Sequence, residues 1–350
     1  MLNIKVDILG GGVSGILSAD FLSRKCEDVD ISIHENKSFR DYSVNCAEGF
    51  INSRGWLGKL NEISVSIKPY IRNDIDESRQ IFYRRGDVTE NVVPTRNFYI
   101  VDRESWQKDF LRKLNENSNI EVNMASSSFD IDGDVIVDAT GSSESDYLAK
   151  AVYGVYRGNF NDNQALLEFR EGEDGYYWIF PHSEGVANIG YFGVSDVNMK
   201  KVREYVENKD VREEVEAGAG LLDFSLSADM HGLTEKKLLK EHKNKPMVKV
   251  GDAAGLVDPL TGEGLSGAVS SSYILAECLS DNRLESYEER VRKENLVLKK
   301  SMNLFRKRKE NFDKFIEEVD ILNQFRASSF KNKLLLLLKN PLKATKLIFK

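Results

Sequence analysis

At 350 residues, 41% hydrophobic and 30% charged, the chain has the composition of a globular protein with more than one core, and no apolar run reaches the roughly 18 residues a membrane span needs. Its three cysteines, Cys26, Cys46 and Cys278, show no paired spacing, which argues against a disulfide framework or a cysteine-rich metal site and fits a reducing compartment. The net charge of −7 is uneven: residues 281–350 hold 18 basic and 10 acidic side chains, a local +8 against −15 for the rest.

Ile4 to Leu9 is an apolar strand that opens the chain, with no secretory leader in view. It runs into Gly10-Gly11-Gly12-Val13-Ser14-Gly15, a G-x-G-x-x-G match. The pattern predicts a helix from Val13 to about Arg24, then a strand from Val29 to His34 that ends at Glu35, twenty residues after Gly15. Strand, glycine turn, helix, strand and acidic residue make the complete dinucleotide fingerprint. Gly10 makes the turn, Gly12 lets a pyrophosphate approach, and Gly15 packs helix on strand. The helix start at Val13 and Ser14 offers free N–H groups, and Glu35 suits ribose hydroxyls.

Asp41 to Phe50 reads DYSVNCAEGF. Phe98 to Leu114 is a strand entering an amphipathic helix, with Arg103 at the junction in reach of a pyrophosphate. Asp134 to Gly141, DVIVDATG, is a buried-type strand ending at Thr140-Gly141. Between these pieces, Ile63 to Val93 carries short strand-like runs. Ala151 to Val194 alternates apolar and polar residues, as in an antiparallel sheet.

A second glycine-rich stretch follows the strand Met247 to Val250. It spends Gly251, Gly255, Gly262, Gly264 and Gly267 around Pro259, then enters a small-residue apolar helix, LSGAVSSSYILAECL. Glycine at that density calls for close backbone approach or positive φ. Asp252 at the strand end can accept hydroxyl hydrogen bonds, and the helix start presents N–H groups to whatever the turn cradles. The two glycine motifs together favour FAD over NAD as the bound dinucleotide. Asp281 to Phe330 is charged and helix-like. Lys331 to Lys350 interleaves six lysines with Leu334 to Leu338, Leu342, Leu347, Ile348 and Phe349. That tail suits an anionic surface, or equally docks on the protein body as a C-terminal helix. No nucleic-acid module accompanies it.

The second stretch resembles the flavin-binding motif of glutathione-reductase-like FAD enzymes. The chain as a whole resembles the geranylgeranyl reductase family of flavoproteins, especially its archaeal digeranylgeranylglycerophospholipid reductases. Four features carry this. They are the Gly10 fingerprint, the GDAAG-x-x-x-P-x-x-G-E-G stretch from Gly251 to Gly264, Cys46-Ala47-Glu48-Gly49, and Tyr176-Tyr177-Trp178-Ile179-Phe180-Pro181 followed by Gly190. Phe192 stands where that last signature usually has glycine, and the chain is shorter than typical members.

The resemblance implies an α/β, glutathione-reductase-like FAD-binding fold: three layers around a parallel sheet, an inserted antiparallel-sheet substrate domain and a helical C-terminus. Residues 1–62, 95–150 and 235–280 would form the FAD domain and 63–94 and 151–234 the substrate domain, with 281–350 a helical region ending in the basic tail. FAD would contact Gly10, Gly12, Val13, Ser14, Gly15, Glu35, Cys46, Ala47, Arg103, Thr140, Gly141, Gly251, Asp252, Pro259, Gly262, Glu263, Gly264 and Leu265. Tyr176, Trp178 and Phe180 share one strand face and, with Pro181 and Gly190, would bind substrate.

The implied reaction is reduction of isolated C=C bonds in isoprenoid chains. Cys46 is the named proton donor, with a tyrosine or water as alternatives. NAD(P)H at an open face or a separate electron carrier would supply electrons. The expected location is the cytoplasm, with peripheral contact to the inner membrane face through 331–350. A flavin monooxygenase of the same architecture and a non-catalytic lipid-binding flavoprotein are the competing readings.

Overall fold

The computed structural model describes residues 4–52, 55–126, 131–142 and 145–327, excepting the side chains at 96 and 324–327. The first half of the chain runs through β1 (Ile4–Leu9), α1 (Val13–Lys25), β2 (Val29–His34), β3 (Gly49–Ile51) and α2 (Leu57–Glu62). There follow β4 (Ile71–Arg84), β5 (Asp87–Val101), α3 (Arg103–Leu114), β6 (Ile120–Asn123) and β7 (Val135–Asp138). The second half contributes β8 (Leu148–Gly158), β9 (Gln164–Arg170), β10 (Tyr176–Ser183), β11 (Val186–Gly193), α4 (Met199–Val206), β12 (Val211–Asp223) and α5 (Ser225–Asp229). It ends with β13 (Leu239–His242), β14 (Lys245–Lys249), α6 (Leu265–Ser280), α7 (Tyr287–Glu294), α8 (Val297–Glu310) and α9 (Phe312–Ala327).

Six strands form one sheet in the order β13-β14-β7-β1-β2-β6. β1 pairs in parallel with β2 and β7, β2 with β6 and β7 with β14; only β13 runs antiparallel, at the edge. Val6, Ile8, Ile31, Ile33, Val135 and Val137 are all buried, as expected of a parallel sheet covered on both faces. The small residues of the second glycine stretch now have a reason. α6 lies against α1 closely enough for Ser18 Oγ to donate to Ser272 Oγ at 3.0 Å and Ser272 Oγ to Ser14 O at 3.1 Å. A Cβ on Gly251 would sit 1.8 Å from Ser14 Oγ, and one on Gly15 would sit 1.9 Å from the Gly10 carbonyl oxygen. The two glycine motifs, more than 230 residues apart in sequence, are interlocked by the absence of side chains.

The second sheet has eight strands in the order β12-β8-β11-β10-β9-β4-β5-β3. Its pairings are antiparallel except β4 with β9, which is parallel. The short runs expected between Ile63 and Val93 are one long hairpin of β4 and β5. Register shifts at Ile71/Asn73 and Ile75/Glu77 break its period-two pattern, so the sequence reads as fragments. The expected division at 94–95 falls inside β5, and that at 150–151 inside β8. No helix among the described residues is long and apolar enough to cross a membrane. The tail from 331 to 350 lies outside the described residues.

Candidate functional site

One cavity of about 1610 Å³ runs between the two sheets. That exceeds the roughly 300–1,000 Å³ of an ordinary ligand pocket, so a dinucleotide and a second molecule have room together. Its polar end is lined by Gly10, Gly12, Val13, Ser14, Glu35, Arg103, Thr140, Gly141, Asp252 and the turn Gly262–Leu265. Its apolar end is lined by Leu167, Phe169, Tyr176, Trp178, Phe180, Phe192, Leu304, Phe315, Val319 and Leu322. Cys46, Ala47 and Tyr153 line the cavity as well.

At the polar end the geometry is that of an anion and hydroxyl cradle. Gly12 is the N-cap of α1 and Gly264 that of α6, and neither cap carries a side chain of its own, so first-turn N–H groups of α1, and those of α6 other than Ser266 N, remain for a ligand. A Cβ added at Gly12 or Gly141 would meet nothing within 4 Å, which marks open space beside the backbone. The Arg103 Nε is buried without a hydrogen-bond partner. The Glu35 carboxylate accepts from Gly11 N at 2.8 Å and Lys37 N at 2.9 Å, which fixes it while lone pairs remain for hydroxyls. Burial pushes the Asp252 carboxyl up to about 7, opposed by the nearby Arg103 guanidinium and reinforced by Asp223 and Glu263. The Glu263 carboxylate accepts from Ser266 N at 2.7 Å and so closes the first turn of α6. These residues fit a flavin dinucleotide.

Cys46 sits where the loop before β3 passes the cavity. Its Sγ accepts from the Glu48 N–H at 3.2 Å. Burial pushes the thiol up, with Arg103 and the Glu48 N–H opposing, so Cys46 holds its proton at neutral pH. Tyr153, on β8 and also in the wall, has its phenol pushed up to about 12, again chiefly by burial. Three tyrosines line the cavity, Tyr42, Tyr153 and Tyr176, and Tyr153 is the one hydrogen-bonded to the Cys46 backbone. Glu48 does not line the cavity and takes φ +64°. Its carboxylate lies 2.7 Å from His182 Nε2 and 3.4 Å from Arg72 Nη1, and Arg72 also pairs with Asp102 at 2.8 Å. His182 Nδ1 is 3.3 Å from Arg72 Nη1; arginine only donates, so Nδ1 accepts. His182, which by residue type alone would be a surface side chain, is 5% exposed.

The aromatic strand joins the cavity's two ends. Tyr176, Trp178 and Phe180 all face the cavity, and the Tyr176 hydroxyl donates to the Thr261 carbonyl at 2.5 Å, touching the glycine-rich turn. Phe192 packs on Tyr176 at 5.5 Å between ring centroids and lies against Gly262, so its ring narrows the space beside that turn. Five expected contacts do not line the cavity, and each has a packing task. Gly15 seats α1 on the turn after β1, Gly251 fits between Ser14 of α1 and Ala268 of α6, and Pro259 is buried in its turn. Gly190 opposes Trp178 across β10 and β11, where a Cβ would sit 2.3 Å from the indole. Pro181 offers its carbonyl to Asn73 Nδ2 at 2.9 Å. The helices α8 and α9, which carried no expected site residue, supply Leu304, Phe315, Val319 and Leu322 to the apolar wall. Their helical spacing is that of any core-facing stripe, so nothing in the sequence separates cavity wall from core.

No protein-family model matches this chain. Among named proteins, digeranylgeranylglycerophospholipid reductase 1 of Methanosphaera stadtmanae is 32% identical, but over 38% of this chain and 34% of that protein, about a third of its length. The digeranylgeranylglycerophospholipid reductase of Picrophilus torridus is 24% identical with 91% of each chain covered. Among solved structures, a geranylgeranyl bacteriochlorophyll reductase-like protein of Thermoplasma acidophilum superposes with a TM-score of 0.72, covering 98% of both chains at 16% identity. The flavin-dependent brominase Bmp2 does so at 0.65, with 14% identity and 96% of this chain covered. The fold is therefore the FAD-binding α/β fold of these flavoproteins, with a helical C-terminus.

Proposed function

We propose that this chain is an FAD-dependent oxidoreductase that reduces isolated C=C bonds of isoprenoid chains, of the geranylgeranyl reductase kind. The observation that carries the reading is the continuity of the cavity. A nucleotide cradle at Gly12, Arg103 and Asp252 opens past Cys46 into a compartment walled by aromatic and aliphatic side chains. The names of the relatives support the same substrate class.

Bound FAD would supply hydride transfer; it would be held by Gly10, Gly12, Glu35, Arg103, Asp252 and the turn Gly262–Leu265. The rest falls to the chain's own side chains. An isolated alkene has no carbonyl to polarise, so Tyr176, Trp178, Phe180, Phe169 and Leu304 serve by position and by excluding water. The protonated Cys46 thiol delivers a proton to the second alkene carbon, with Tyr153 as the alternative donor. Electrons come from NAD(P)H at an open face or from a separate carrier. The test is the absorption spectrum of purified protein together with mass analysis of co-purifying lipid. A flavin spectrum and an isoprenoid lipid support the reading, and protein purified without flavin that takes up none on reconstitution overturns it.

A second reading, a flavin monooxygenase, has one specific observation behind it. Flavin-dependent halogenases share the fold. Mixing the reduced protein with air decides between them: a hydroperoxyflavin and a hydroxylated product favour oxygen chemistry. A non-catalytic lipid-binding flavoprotein would hold lipid and flavin without reacting either. The proposal extends to the basic tail, for which vesicle flotation of full-length protein against a chain ending near residue 330 is the test. Equal binding by both, or by neither, removes the tail as a peripheral anchor.

A further inference from the structure

The helix α3 presents two side chains to the cavity four residues apart, on one helix face: Arg103 and Gln107. Gln107 is 2% exposed, and its Nε2 has no hydrogen-bond partner. A buried amide left unpaired bears the full cost of its desolvation, and this one opens onto a ligand cavity.

The other end of the amide is tied down. Tyr42 Oη lies 3.0 Å from Gln107 Oε1 and 2.8 Å from the Gly11 carbonyl oxygen. A phenol has one proton and cannot serve two acceptors fully. Burial holds the Tyr42 phenol far above its ordinary value, so it remains a donor. Turning the amide by 180°, an exchange of nearly isosteric groups, resolves the conflict. Gln107 Nε2 then donates to Tyr42 Oη, Tyr42 donates to Gly11 O, and the amide oxygen faces the cavity as an acceptor. The Gly11 peptide also fixes the location. Its N–H is held by the Glu35 carboxylate, while its carbonyl is held by Tyr42 and thence Gln107. Gln107 therefore stands at the Glu35 end of the cavity, where hydroxyls rather than the redox ring are to be met.

We infer that Gln107 is a further dinucleotide-binding residue. Its outward amide oxygen accepts a hydrogen bond from a hydroxyl of the adenosine diphosphate half of the cofactor, and Tyr42 sets which way the amide faces. The inference rests on the FAD reading above and is tested apart from it. Flavin-free protein is titrated by calorimetry with FAD, ADP and FMN, as wild type, Gln107→Leu, Tyr42→Phe and the double variant. Gln107→Leu should weaken FAD and ADP about tenfold, the value of one hydrogen bond, and leave FMN unchanged; the FMN arm also reports folding. Tyr42→Phe should weaken the same two ligands in the wild-type background and add little in the Gln107→Leu background. Unchanged FAD and ADP affinity in Gln107→Leu overturns the inference, as does an equal loss for FMN. If Gln107→Leu does not fold, Gln107→Met takes its place under the same criteria. Wild-type protein that binds ADP but not FAD would refute the flavin reading and leave the Gln107 comparison standing on ADP.

Discussion

Asp252 is held at the cavity wall with its carboxyl pushed up to about 7 by burial, against the opposing pull of Arg103. An aspartate in the unfolded chain titrates near about 3.9. Between those values the folded flavin-free protein binds a proton that the unfolded chain does not, so its stability falls as pH rises from about 4 to about 7. Thermal unfolding of flavin-free wild type should therefore show a midpoint that drops across this window, and Asp252→Asn should flatten the drop. Parallel curves for the two proteins would contradict the assignment. Cys46 gives a second expectation at this scale. Cys46→Ala should slow alkene reduction by roughly 10²–10⁴-fold, the usual worth of a placed proton donor, with flavin content unchanged. Unchanged turnover in Cys46→Ala with a comparable loss in Tyr153→Phe would transfer the role to Tyr153. Most of these polar positions were legible in the sequence because glycine spacing and acidic residues at strand ends are local signals. Gln107, Tyr42 and Tyr153 were not, since what brings them to the cavity is contact with residues far away in sequence, Tyr42 with Gly11 and Gln107 and Tyr153 with Cys46, which no local pattern encodes.

At the scale of elements, the motif strand β10 is placed by its neighbour. Gly190 on β11 leaves the room that the Trp178 indole occupies, and a Cβ there would also come within 2.4 Å of the Val152 carbonyl oxygen. Gly190→Ala should cost about 1–3 kcal/mol, as overpacking does, read as a lowered urea midpoint with unchanged slope; an unchanged midpoint would show that β10 yields without cost. The helices α8 and α9 cover the apolar compartment. Leu304→Trp on α8 should raise KM for long isoprenoid chains more than for short ones in steady-state assays, and an equal effect on both would remove α8 from the substrate wall. β10 announced itself through three alternating aromatics, whereas Leu304, Phe315, Val319 and Leu322 carry a spacing common to every buried helix face. The bulged hairpin of β4 and β5 was hidden for a related reason, since each register shift resets the alternation that marks a strand.

Across the whole molecule, the parallel sheet and the bulged second sheet meet at one cavity, and the chain's function follows from what that cavity accepts at each end. Its polar end is built by backbone and a few charged groups, its apolar end by aromatic and aliphatic side chains from β9, β10, β11, α8 and α9. In the proposed reaction a reducing equivalent held at the first end reaches an alkene held at the second. The direct measurement is anaerobic. Protein reconstituted with FAD and reduced with dithionite is mixed with a geranylgeranyl lipid while flavin absorbance is followed, and the lipid is then weighed by mass spectrometry. The expected result is reoxidation of the flavin in step with the gain of one H₂ per double bond reduced. A flavin that stays reduced beside unchanged lipid, but is oxidised at once on admitting air with a hydroxylated product, would contradict it.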